Sequence, residues 1–85
     1  MKYVKKPIPV EAIQWNGANF EQIATFMGDT HPFLDTYNNL IIPTLEGEMA
    51  TPVGSYVIKG VKGEFYGCNE EVFNLTYERW EDNND

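Results

Sequence analysis

Ser55-Tyr-Val-Ile-Lys-Gly-Val-Lys-Gly-Glu-Phe-Tyr-Gly-Cys68 decides the fold class. Two runs rich in β-branched and aromatic residues flank Gly60-Val61-Lys62-Gly63, a turn signal with glycines able to take positive φ. The reading is a β-hairpin, with Tyr56 and Ile58 on one face and Val57 on the other. Just upstream, Thr51-Pro52-Val53-Gly54 reads as another turn. Just downstream, Asn69 is placed to cap a short helix whose first turn carries Glu70 and Glu71, the charge that favours a helix N-terminus. That helix is expected over about 70–79, with Val72, Phe73, Thr76, Tyr77 and Trp80 facing inward.

Moving towards the N-terminus, Phe20, Ile23, Ala24 and Met27 recur at i, i+3, i+4 and i+7 and predict a helix over about 19–27. Asn19 is its expected N-cap, Gln22 the capping-box partner, and Gly28 the stop. Between the helices, Asn38-Asn39 separates Phe33–Tyr37 from Leu40–Ile42 and suggests a second hairpin. Pro43 is expected to end that strand, with Leu45–Ala50 forming another. The opening stretch Tyr3–Trp15 has strand composition, but Pro7 and Pro9 remove ladder donors. It should therefore be an edge strand, or a strand that starts after Pro9. The sum is a small single α+β domain over 1–80, built on a mostly antiparallel sheet of about 4–6 strands with two short helices. Residues 81–85 read as a frayed acidic tail.

Composition sets limits on function. The chain has 85 residues, 42% of them hydrophobic and 14% aromatic, enough for a folded core but for one domain only. Six basic residues against thirteen acidic ones give a net charge of −7, which disfavours direct DNA or RNA binding. No apolar run is long enough for a membrane span, and no apolar segment follows the basic N-terminus as a signal peptide requires. A single cysteine and no export signal point to a reducing, cytoplasmic setting.

No set of residues announces a reaction. Cys68 and His31 are the only thiol and the only imidazole, and nothing in their spacing pairs them. Cys68 reads as a small packed residue and His31 as a solvated loop residue. One His and one Cys cannot close a zinc site, so no metal and no cofactor are expected. Glu46 and Glu48 share a strand face and would meet Glu64 only if their two β segments were neighbours; the plainer reading is a solvated acidic edge.

The strongest binding feature is the turn Lys59-Gly60-Val61-Lys62-Gly63. Its glycines permit close backbone approach, and its lysines could meet phosphate. A soluble hairpin tip explains the same residues. The aromatics exceed what a minimal core requires, so those left exposed would mark a stacking site or a subunit interface. The candidate ligand-binding set is Lys59 and Lys62 on phosphate, Tyr66 or Trp15 stacked on a base, and Glu64 accepting from a sugar hydroxyl or a base amine.

The segments KKPIPVEAIQWNGANFEQIATFMGD (5–29), NLIIPTLEGEMA (39–50) and SYVIKGVKGEFYGCNEEVFNLTYE (55–78) resemble, in the same order, a family of small, mostly uncharacterised bacteriophage and prophage proteins. The family pattern has Pro-Gly-Asp before the late aromatic, where this chain has Val53-Gly54-Ser55, and proline where it has Gly67. The resemblance implies a phage-encoded protein working in the cytoplasm of an infected bacterium and supplies no catalytic motif. The expected function is that of a non-enzymatic accessory binding protein. Its specific form is a homo-oligomeric sponge that sequesters a nucleotide-type immune signal, an anti-defence role. The alternative is an acidic inhibitor or adaptor that binds a host protein; a small hydrolase is the remote third.

Overall fold

A computed structural model describes residues 1–79; Trp80 and the acidic segment 81–85 lie outside the described residues. Six strands form two three-stranded antiparallel sheets, accompanied by two helices, so the domain is α+β. The strands are β1 (Glu11–Gln14), β2 (Phe33–Leu34), β3 (Leu40–Thr44), β4 (Gly47–Thr51), β5 (Tyr56–Lys59) and β6 (Phe65–Cys68). The helices are α1 (Phe20–Met27) and α2 (Glu70–Thr76).

The decisive hairpin forms as its sequence dictates: β5 and β6 pair from Tyr56↔Cys68 to Lys59↔Phe65. β1 joins the other side of β5, with Glu11 opposite Lys59, so β1 and β6 are the two edge strands. β1 therefore begins after Pro9, where a backbone donor is next available for the ladder. The second sheet has the order β2-β3-β4. Asn38, at φ 66°, closes its first hairpin, and the Asp35 carboxylate accepts from the amides of Tyr37 and Asn39 at 2.8 and 2.9 Å.

Pro43 does not end β3; it lies within it, opposite Glu48. The two-residue loop Leu45-Glu46 makes Thr44 and Gly47 a hydrogen-bonded pair, so the next pair, Pro43 and Glu48, exchanges no ladder bonds. The missing N–H of Pro43 thus faces the β2 side, where β2 reaches only Leu40 and Ile41.

The core lies between the first sheet, α1 and β3: Trp15, Ile23, Met27, Leu40, Ile42 and Val57 are buried together, with Ile13, Phe20, Phe26 and Phe65 packed against them. Ile58, which strand alternation puts on the opposite sheet face from Val57, is also fully buried. Tyr56 and Tyr66 share that opposite face. Phe73 of α2 stacks on Tyr56 with ring centroids 3.7 Å apart, and the Tyr77 hydroxyl lies 3.4 Å from that of Tyr66. The first sheet is thus covered on both sides.

Three local expectations change. α2 ends at Thr76, short of residue 79, because Tyr77 turns to an extended conformation. Of the expected inward face, Val72 and Thr76 are exposed and Phe73 and Tyr77 half-buried, while Trp80 lies outside the described residues. Asn19 makes no side-chain cap to α1: its Oδ1 accepts from Asn16 N, while its Nδ2 donates to Gln14 O and Gln22 Oε1. Asn19 and Gln22 do meet, but side chain to side chain, so the capping box is not formed.

Candidate functional site

The hairpin tip is the natural place to look for a site, because β5 and β6 carry its backbone out beyond the sheet. Lys59 and Lys62 are both exposed there. Gly63 N donates to Gly60 O at 3.0 Å and Gly60 N to Glu64 O at 2.7 Å, which closes a three-residue loop. Gly63 sits at φ 85°, the left-handed position that such a loop reserves for glycine.

The Glu64 carboxylate is turned back onto its own loop, where Oε1 accepts from Lys62 N at 3.0 Å. Its group lies where a side chain at Gly60 would stand, so Gly60 gives it room. Three amides of the turn, those of Gly60, Lys62 and Gly63, already donate within the chain. The turn is a self-satisfied hairpin tip and not an open phosphate cradle.

Two further members of the expected set are displaced. Trp15 is fully buried, and its Nε1 donates to Asn38 O at 3.0 Å, leaving no ring face to stack on a base. It was a candidate stacking residue in sequence because the aromatics exceed what a minimal core requires; the pairing of β1 with distant β5 puts it in the core. Tyr66 is half-buried and opposite Ile58, while Lys59 pairs with Phe65 on the other sheet face. Alternation therefore separates the Tyr66 ring from the Lys59 ammonium. The hydrogen bond with the Tyr77 hydroxyl, with partial burial behind it, pushes the Tyr66 phenol up to about 12. Glu46, Glu48 and Glu64 do not converge: among the described residues no three His, Cys, Asp or Glu side chains gather into a cation-binding group.

What the structure adds is a groove. The root of the N-terminal segment, Ile8–Glu11, runs beside Lys59, Gly60 and Val61 and encloses an open groove of about 630 Å³. Lys59 and Glu11, cross-strand partners, put one charge of each sign at its wall, and Ile8, Pro9, Val10 and Val61 make the rest apolar. Sequence reasoning reached Lys59 but not Ile8–Val10, because the neighbour of β1 lies more than forty residues away in the chain. A smaller hollow of about 180 Å³ lies beside Cys68, between β4 and β6.

Among the described residues, no helix is long and apolar enough to cross a membrane. No protein-family model matches the chain, and no match was found among curated proteins or among solved structures.

Proposed function

We propose that the chain is a non-enzymatic accessory binding protein of a bacteriophage, acting in the cytoplasm of the infected bacterium as an oligomeric sponge for a small nucleotide-type signal. The observation that supports this reading is the groove between the N-terminal segment and the hairpin tip. Its volume of about 630 Å³ lies within the range of small-molecule sites, it is mainly apolar, and Lys59 stands in its wall. Lys59 meets a phosphate there, with Lys62 at the exposed tip beyond. Ile8, Pro9 and Val61 offer an apolar surface to the rest of the ligand. Trp15, Glu64 and Tyr66 take no part, since each is engaged elsewhere.

Isothermal titration of the purified protein with a panel of cyclic nucleotides and ADP-ribose derivatives tests this. The expected result is saturable heat with at least one member, weakened roughly tenfold or more by Lys59→Ala with Lys62→Ala, the loss of one charge-assisted contact or more. The ligand should be recovered intact after the protein is denatured. No heat with any member overturns the reading, and recovery of an altered ligand replaces it with an enzyme.

A further inference from the structure

We propose that residues 1–7 form an arm that docks on α2 of a second copy of this chain, leaving Ile8–Val10 in the groove wall. Residues 1–9 are exposed and take no part in either sheet. Tyr3 and Val4 show 88% and 90% of their surface, which is a costly way to carry two large apolar side chains. The radius of gyration is 14.0 Å, against about 12 Å expected for a compact chain of this length, as a projecting segment requires.

The second element with an open apolar face is α2, which rests on the sheet through Phe73 alone. It buries none of its residues, and Val72 and Leu75 are 51% and 81% exposed. The arm and α2 are complementary in charge. The arm holds Lys2, Lys5 and Lys6, half of the six basic residues, and no acid. The stretch 69–78 holds Glu70, Glu71 and Glu78 and no base. Each element mixes one sign of charge with exposed aliphatic side chains, so each supplies what the other lacks.

The arm is suited to docking at low entropic cost. Pro7 and Pro9 fix φ and hold the residues before them extended, so less freedom is lost on binding. Beyond the turn that Ile8 N closes on Lys6 O at 2.9 Å, residues 1–5 reach about 15 Å when extended, enough to lie along the seven residues of α2, which span about 10 Å. Reciprocal exchange uses two arms, so each need cover only about 500 Å² for the pair to reach the ~1,000 Å² of a specific interface. This inference rests on the oligomeric part of the function proposed above and not on the ligand.

Light scattering of the full chain at low and high salt tests it, with two variant classes. Lys2→Glu/Lys5→Glu/Lys6→Glu reverses the arm, which lies outside the core and leaves the fold intact by circular dichroism. Glu70→Lys/Glu71→Lys/Glu78→Lys reverses the acidic stretch formed by the first turn of α2 and the residue just beyond its end. Leu75→Ser, at an exposed position, serves as a second helix variant that does not disturb the helix N-terminus. The wild type is expected at twice the chain mass or more, falling with salt, and each variant is expected at the single-chain mass. An equal mixture of the two charge-reversed proteins should regain the double mass. A monomeric wild type overturns both the arm and the oligomer, and leaves the acidic helix face for a basic partner protein. An oligomer whose mass survives arm reversal overturns the arm alone. An oligomer lost on arm reversal but kept with Leu75→Ser and with the helix reversal overturns α2 as the seat.

Discussion

The two helices solve the same problem in opposite ways. α1 has no side-chain cap, since Asn19 Oδ1 accepts from Asn16 N instead of from the helix, yet Ile23 and Met27 are buried in the core. α2 is capped by Asn69, whose Oδ1 accepts from Glu71 N at 2.8 Å and Val72 N at 3.2 Å, and its first turn is acidic; nevertheless it buries nothing. Tertiary burial holds the first helix, and local chemistry together with one aromatic stack holds the second. A helix of the first kind belongs to the cooperative core, and one of the second kind opens on its own.

The sharpest way to break this comparison is to empty the core side. Ile23→Ala should cost about 2–5 kcal/mol in a denaturant titration, because a fully buried side chain leaves a cavity. Leu75→Ala on α2, compared in the background of the charge-reversed arm so that no docking is lost, should stay within about 0.5 kcal/mol, because there the side chain faces water. Equal losses from the two would show that α2 belongs to the core.

Next in size is the contact between the sheets. Gly67 N donates to Met49 Sδ, and a Cβ at Gly67 would stand 2.6 Å from Thr51 Oγ1, itself buried without a hydrogen-bond partner. Gly67→Ala should therefore destabilise by about 1–3 kcal/mol, as overpacking does, and Thr51→Ala in the same chain should recover much of it.

A smaller effect separates the helices by location. Asn69→Ala should cost about 1 kcal/mol of helix stability. Hydrogen exchange should show it as faster opening of α2 amides, with the global unfolding midpoint nearly unmoved. The smallest effect concerns the aromatic lid that joins α2 to the first sheet. Tyr66 should ionise at about 12 in an absorbance titration, and Tyr77→Phe should bring it back towards the ordinary 10.0. Because the folded state raises this phenol, its contribution to stability is complete below pH 10.0 and is lost as pH rises to about 12. An unshifted Tyr66 in the wild type would mean that α2 does not rest on the sheet through this pair.

These elements also show what can be read in a sequence. The hairpin of β5 and β6, the stripe of α1 and the Asn69 cap were legible because each depends on residues within one or two turns of one another. The division of six strands into two sheets was not, because it depends on β1 finding β5 across the chain. The candidate site divides along the same line. Lys59 and Lys62 stand exposed at the tip, as a hairpin places them. Trp15 points where the non-local pairing of β1 with β5 sends it, Tyr66 is turned by hairpin alternation to the face where Tyr77 meets it, and Glu64 was lost to a competing acceptor role two residues from its donor. An aromatic surplus indicates that some rings do more than fill space. It does not say which ones, until the pairing of the strands is known.

The proline within β3 has a consequence for how the chain can go wrong. Extending the register of β2 and β3 by two residues would put Pro32 opposite Ile42 and His31 opposite Pro43. Each strand then meets a proline at the same end of the ladder, so neither can lengthen by slipping past it. β2 is held to two residues, and the edge that it presents is too short to template foreign strands. That margin of the molecule is sealed against runaway fibre growth, and misassembly has to begin elsewhere. β1 is the exposed alternative, with the backbone of Ala12 turned outward and only the upstream Pro7 and Pro9 to discourage a visitor.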